Sequence, residues 1–242
     1  MKKNLRRLIN LISSLRLLPD WLAFYKKNDQ RFSLRWRDNL PQLKDKTNQT
    51  DFDLHYIYHP AWAARVLAKT KPQEHVDISS SLSFSTLVSA FLPVRFFDFR
   101  PANISLSGLK SEAINLTALS FPSDSLPSVS CLHVLEHIGL GRYGDPIDPQ
   151  GDIKAMTELE RVLAPSGDLL IAVPVGQPRL RFNAHRIYSY QQIISAFSQL
   201  ELVDFSLISE KEHGLISPAD PALVEQEKYA CGCFWFKKKA LW

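Results

Sequence analysis

Three histidines carry the side chains best suited to proton transfer. His133 and His137 lie in the run His133-Val134-Leu135-Glu136-His137, and His185 lies in Arg181-Phe182-Asn183-Ala184-His185-Arg186. An imidazole titrates near neutrality, so each is a candidate general base for a hydroxyl nucleophile. Between them runs a loop, 139–152, with Gly139, Gly141, Gly144 and Gly151, four of the chain's nine glycines, beside Arg142, Tyr143, Asp145, Asp148 and Asp152. A glycine-rich loop bearing carboxylates suits recognition of a polyhydroxylated acceptor, with Arg142, Tyr143 and Asp145 as the contacting residues. A plainer role competes for Asp148-Pro149, which can open the following helix as cap and first residue.

The same histidine run spells the H-x-x-E-H pattern of inverted zinc peptidases. That chemistry needs the pattern on a long helix with a third ligand further on. Here it starts at a strand end and runs into Gly139 and Gly141, so no metal is expected. Cys231-Gly232-Cys233 points both thiols to one face of a strand. It lacks convincing partner ligands, and strand packing accounts for it.

The elements that must position these residues alternate from residue 74 onward. His75-Val76-Asp77-Ile78 reads as a short strand, 83–91 as a helix and Val94-Arg95-Phe96-Phe97-Asp98 as a second strand. A third strand fits near 112–116, and Ser128-Val129-Ser130-Cys131-Leu132 a fourth. Helical spacing covers 149–163 until Pro165-Ser166-Gly167, and 168–173 is a buried strand. A helix at 189–198 and strands near 201–209 and 229–236 complete a mostly parallel sheet covered on both faces. In such sheets ligands bind beyond the carboxyl ends of the strands, where strand order reverses. That selects the residues after Asp77, Asp98, Asn115 and Leu132.

Two motifs in this order resemble class I S-adenosylmethionine-dependent methyltransferases. The stretch Leu119-Ser120-Phe121-Pro122-Ser123-Asp124-Ser125-Leu126 through Leu135-Glu136-His137 is similar to their "LPF-D-S-F-D-V … LEH" run. Glu158-Leu159-Glu160-Arg161-Val162-Leu163-Ala164-Pro165-Ser166-Gly167 is similar to their "E-RVLKPGG" turn. Gly139-Leu140-Gly141-Arg142-Tyr143-Gly144-Asp145-Pro146 resembles an uncharacterised branch filed as a domain of unknown function. The resemblance covers about residues 72–210 and implies a doubly wound, seven-stranded Rossmann-like sheet binding S-adenosylmethionine. It implies further that Asp77 is the motif-one acid, that Asp98 accepts from the ribose hydroxyls, and that Asn115 and Leu116 lie near the adenine. His133 would border both cofactor and acceptor. The family's glycine-rich first turn is replaced by Ser79-Ser80-Ser81-Leu82-Ser83. A non-glycine residue in left-handed geometry costs about 1–2 kcal/mol, so two such positions would cost about 2–4 kcal/mol. Ser79 and Ser81 could instead donate hydroxyls to the methionine carboxylate.

Composition sets the outer bounds. The 242 residues are 45% hydrophobic and 22% charged, ordinary for a globular protein. Three cysteines argue against a disulfide framework and fit a reducing compartment such as the cytoplasm. Residues 1–37 hold ten basic and two acidic side chains, a balance of +8, while the remainder holds 19 basic and 23 acidic, a balance of −4. An acidic main body is a poor footprint for nucleic acid, so no nucleic-acid partner is expected. Residues 3–18 space Leu5, Leu8, Ile9, Ile12 and Leu15 as a basic amphipathic helix, which could cover the main domain or meet an anionic membrane surface. Arg16 interrupts the apolar run 8–18, and neither a membrane span nor a secretory signal is expected. The expected organisation is a helical extension and linker over 1–58, with 38–53 as the polar stretch, then a methyltransferase-like domain over 59–242. Pro60 would open a helix over 60–70. The expected function is methyl transfer to a small hydroxylated or glycan-type acceptor; the rival is a non-catalytic member of the fold serving as a binding or regulatory partner.

Overall fold

The computed structural model describes residues 2–240, with side chains described over 15–240. The chain divides into two compact units, one ending at Phe52 and one beginning at Asp53.

In the first unit the helix expected over 3–18 runs on as α1 (Lys2–Lys27), past Pro19. Trp21 stacks on Tyr25 one turn later, with ring centroids 5.3 Å apart, and meets Trp36 edge-on at 5.5 Å. The apolar positions Leu5, Leu8, Ile9 and Ile12 lie outside the described side chains. Among the described residues no helix is long and apolar enough to cross a membrane.

The second unit opens with α2 (Leu54–Thr70), six residues earlier than Pro60 suggests. The Asp53 side chain accepts a hydrogen bond from Tyr56 N at 3.0 Å and caps the helix there. Pro60 therefore lies in the second turn, and the boundary expected at 58/59 falls inside this helix. A cap that satisfies a free N–H outweighs the preference of proline for the first position.

The strands are β1 (His75–Ile78), β2 (Val94–Asp98), β3 (Leu109–Ala113), β4 (Leu126–Leu132), β5 (Leu163–Val175), β6 (Arg179–Arg181), β7 (His185–Ile187), β8 (Leu200–Ser209), β9 (Gly214–Ile216) and β10 (Ala230–Lys238). Eight of them form one sheet in the order β3-β2-β1-β4-β5-β10-β8-β9, and β6 and β7 form a separate hairpin. Neighbours from β3 to β5 are parallel; β10 runs antiparallel to both β5 and β8. The eighth strand, one more than expected, is the three-residue edge β9. The third strand ends at Ala113, earlier than 116. Asn115 Oδ1 accepts from Thr117 N at 3.0 Å, and this side-chain turn draws the chain out of the sheet.

Between the strands lie α3 (Leu82–Val88), α4 (Gly151–Val162), α5 (Tyr190–Ala196) and α6 (Ala222–Gln226). The sheet is buried on both faces, and β5 shows why its sequence is a continuous apolar run. Leu169, Ile171, Val173 and Val175 join Met156, Leu159, Ile193 and Phe197 on one face. Leu170 and Ala172 join Trp62, Val66, Phe84 and Val88 on the other. The helix-to-strand motif is a local staple. Glu158 Oε2 accepts from Leu119 N at 2.7 Å, and Arg161 donates to the Leu119 and Phe121 carbonyls at 2.9 Å each.

Candidate active site

Strand order reverses between β1 and β4, and a cavity of about 260 Å³ opens at the carboxyl ends of the strands there. Ser79 after β1, Asp98 at the end of β2, Asn115 and Leu116 after β3 and His133 after β4 all line it, with His137, Tyr143 and Asp145. Eight of the residues singled out from sequence thus share one cleft. Gly139, Asp148 and Gly151 of the glycine-rich loop line it too, as do Phe99, Arg100, Ile114 and Thr117, none of these four expected. Ile114 and Leu116 are buried and give it an apolar wall. Asp98 Oδ1 accepts from Arg100 N at 2.7 Å, which fixes the carboxylate at the rim.

Asp77, Ser81, His185 and Arg142 do not line the cleft. Asp77 is 0% exposed. It accepts from Ser130 Oγ at 2.6 Å and makes a very short hydrogen bond with Ser85. Burial pushes its carboxyl up to about 6, against the pull of these hydroxyls. It pins β1 to β4 and α3. The same network takes in His75, whose Nε2 meets Ser130 Oγ at 2.9 Å and Nδ1 meets Ser128 Oγ at 2.8 Å. Because Ser130 gives its proton to Asp77, it accepts from His75 Nε2–H. Burial drives the His75 imidazole down to about 3.

The serine turn is less strained than its sequence suggests. Only Ser79 of the three is left-handed, at φ 58°, so the cost is about 1–2 kcal/mol rather than twice that. Ser79 N donates to Phe97 O at 2.7 Å, tying the turn to β2. Ser80 Oγ accepts from Leu132 N at 3.0 Å. Ser81 has φ −65° and caps α3 by accepting from Phe84 N at 3.3 Å. Its hydroxyl is engaged at the helix end, which is why it does not face the cleft.

The three histidines fare differently. His137 Nδ1 lies 2.6 Å from Ala184 O. A carbonyl only accepts, so Nδ1 carries the proton and Nε2, 3.7 Å from Glu136 Oε1, keeps its lone pair. Burial, its largest influence, holds the His137 imidazole below its usual range. His133, at φ 59°, has both nitrogens engaged: Nδ1 donates to Glu136 Oε1 at 2.8 Å, and Nε2 faces Cys231 Sγ at 3.3 Å. His185 starts β7 behind His137, its ring centroid 6.5 Å away, and its Nε2 is buried without a partner among the described residues.

The glycine loop is organised by its own acids. Asp145 accepts from Gly139 N at 2.8 Å and from Tyr143 N at 3.2 Å. Asp152 pairs with Arg186 at 3.3 Å and accepts from the Tyr188 hydroxyl at 2.9 Å. Asp148 accepts from Gln150 N at 3.0 Å and pairs with Lys154 at 2.6 Å. The helix begins at Gly151, not Pro149, because Asp148 closes a turn ahead of it. Tyr143 is flanked by two guanidiniums, Arg100 at 4.6 Å and Arg142 at 5.0 Å from the ring centroid. Arg142 also donates to Ala184 O at 3.0 Å, which turns it away from the cavity.

Beneath His133 lies a group that the sequence reading passed over. His55 and His59 on α2 come within 5.4 and 4.9 Å of the His133 ring. One donor atom each from His55, His133 and Cys231 lies within 4.8 Å of the others, so Cys231 has the partner ligands that its strand motif alone did not show. The H-x-x-E-H run forms a single turn over Leu135–His137, as its glycines require, and only its first histidine joins this group. Burial lowers His55 to about 4 and His59 well below its usual range. Burial would raise Glu136, but His133 and then His137 outweigh it and hold the carboxyl below its usual range. The spacing His55-x3-His59 was legible; its proximity to His133 was not.

Residues 120–229 match the family model described as "Caenorhabditis protein of unknown function, DUF268". No curated protein matches the chain in sequence. Among solved structures, the N-methyltransferase NodS from Bradyrhizobium japonicum WM9, in complex with S-adenosyl-L-homocysteine, aligns with TM-score 0.56 at 13% identity, covering 81% of this chain and 92% of that one. The 1,6-didemethyltoxoflavin-N1-methyltransferase of Burkholderia thailandensis aligns with TM-score 0.50 at 11% identity, over 75% and 79% of the two chains. The cyclase SpnF aligns with TM-score 0.52 at 12% identity, over 75% and 81%. At such identities the likeness establishes the fold, a Rossmann-like methyltransferase fold, and a cyclase among the neighbours shows that this fold does not fix one reaction.

Proposed function

We propose that the unit beginning at Asp53 binds S-adenosylmethionine in the strand-end cleft and transfers its methyl group to a small hydroxylated or glycan-type acceptor. The observation that carries this reading is the row Ser79, Asp98, Asn115 and Leu116, which lines one cavity at the switch point of a methyltransferase-type sheet. The fit is chemical as well as spatial. Asp98 offers a rim carboxylate for vicinal hydroxyls, and Ile114 and Leu116 offer an apolar wall for a flat ring. When bound, S-adenosylmethionine supplies an electrophilic methyl group on a sulfonium.

The chain's own part is to seat the acceptor and take its proton. His137, neutral and with Nε2 free of the Ala184 bond, is the base best disposed to accept a hydroxyl proton. Tyr143 and the loop fixed by Asp145 form the neighbouring wall. Three buried free thiols suit a cytoplasmic setting, which belongs to the same proposal.

Calorimetry with S-adenosylhomocysteine tests it directly. One site per chain is expected, weakened by Asp98→Ala about 10- to 100-fold through loss of charge-assisted hydrogen bonds. No heat at millimolar ligand would defeat the reading and leave a binding or regulatory member of the fold.

A further inference from the structure

We infer that His55, His133 and Cys231 form a binding site for a divalent ion of the zinc class, with His59 as the fourth ligand. This goes beyond the methyl-transfer reading and does not rest on it. The three donors come from three separate elements: α2, the end of β4 and β10. Their ligand atoms lie within 4.8 Å of one another, and His133 Nε2 and Cys231 Sγ are already 3.3 Å apart. Tetrahedral zinc, with bonds of about 2.0–2.3 Å, spaces its ligand atoms about 3.3–3.7 Å apart. Closure on these three therefore asks for side-chain shifts of about 1 Å, and His59, which lies outside that 4.8 Å group, must move further to become the fourth ligand.

Two independent features support a resident ion. The first is His59, four residues from His55 on the same helix face, 0% exposed, with neither ring nitrogen hydrogen-bonded among the described residues. A buried imidazole with two idle nitrogens is costly, and an ion would engage one of them. The second is Glu136, also 0% exposed, which holds His133 by Nδ1 at 2.8 Å. That bond leaves the Nε2 lone pair of His133 aimed at Cys231. A carboxylate behind a ligating histidine is the outer-shell arrangement that orients ligands at zinc.

The charge balances as well. On binding, Cys231 loses its thiol proton to solvent, and a doubly charged ion then faces one thiolate and the Glu136 carboxylate, a neutral set. Soft sulfur with imidazole nitrogen selects zinc-class ions over magnesium or calcium. His133 also lines the strand-end cleft, which gives an ion its route in. In this place the ion would clasp α2 to β4 and β10 beneath the cleft.

The test uses the full-length protein, stripped with a chelator and titrated with Co²⁺. One Co²⁺ per chain is expected, with visible bands of a tetrahedral site and a sulfur-to-cobalt charge-transfer band, all removed by equimolar Zn²⁺. Cys231→Ser should abolish the sulfur band, while Cys131→Ala, on the other face of the sheet, should retain it. Should Cys231→Ser fail to fold, the wild-type spectrum decides alone. No stoichiometric uptake by the wild type overturns the inference, and so does uptake without the sulfur band. Because the readout is spectroscopic, it stands whether or not S-adenosylhomocysteine binds.

Discussion

Ser79 and Ser81 are two serines of one turn, yet they carry different costs. Ser79 is left-handed at φ 58°, and Ser81 has ordinary backbone angles and a capping hydroxyl. Ser79→Gly is therefore expected to leave stability unchanged or raise it by up to about 1 kcal/mol, as relief of strain outweighs the added freedom of the unfolded chain. Ser81→Ala should lower it by about 1 kcal/mol through loss of the cap. Urea melts of both variants decide this, and a stabilised Ser81→Ala would contradict the capping role. The His137 proposal also belongs to this scale. Once an acceptor is identified by transfer of labelled methyl, His137→Gln should lower kcat by about 10²–10⁴, with affinity for S-adenosylhomocysteine within about twofold. Equal losses in both would mean that His137 only shapes the pocket. Both histidines of the run stood out in the sequence because their chemistry depends on residue type. What each touches was not legible there. His133 and His137 are four residues apart, yet one ring turns inward to Cys231 and the other toward Ala184.

At the scale of elements, the loop between β4 and α4 depends on Gly139. A Cβ there would lie 2.0 Å from the Asp148 carbonyl oxygen, and φ is 80°. Gly139→Ala combines overpacking with left-handed strain, so a loss of about 2–5 kcal/mol is expected. Denaturant midpoints measure it, and a loss below about 1 kcal/mol would show that the loop can shift at little cost. Element types were largely readable: alternating patterns gave the strands, and Pro165-Ser166-Gly167 marked the end of α4, although these residues themselves fall inside β5, which starts at Leu163 rather than 168. Boundaries went astray where a side chain overrules propensity. Asp53 starts α2 before Pro60, Asp148 delays α4, and Asn115 ends the third strand early. Each is a hydrogen bond that a short polar side chain accepts from a nearby backbone N–H, available in many turns of a sequence and realised in few.

For the whole molecule, pH dependence follows from the buried pair His75 and Asp77. Unfolded, His75 titrates near 6.5; folded, burial holds it at about 3. Its stabilising contribution is therefore present above about pH 6.5 and is lost as pH falls, because the imidazole must shed a proton to fold. Asp77 acts in reverse. Its carboxyl rises from 3.8 to about 6, so it favours the folded state below about pH 4, an advantage lost as pH rises through 6. The stability gap between wild type and His75→Gln should shrink by about 2 kcal/mol from pH 7.5 to pH 5. A gap independent of pH would mean that His75 is not neutral in the fold. The basic segment 1–18 is a separate matter. Flotation with anionic vesicles should recover the full chain better than a chain lacking 1–18, and equal recovery would remove the membrane proposal.

Residue types and periodicity alone determined a parallel-centred sheet with helices on both faces and ligand chemistry at its strand tips. Those features are local: burial of alternate side chains and turn formation act within a few residues. Only tertiary structure decided which strand-tip groups face the cleft. Asp77 and Asp98 read alike in sequence, but Asp77 pairs in register with Phe96, two residues short of Asp98, and stays in the core. It also decided that His133 and Cys231, 98 residues apart, point at one spot beside His55. Contacts across such distances arise when separate elements pack, and no spacing along the chain encodes them.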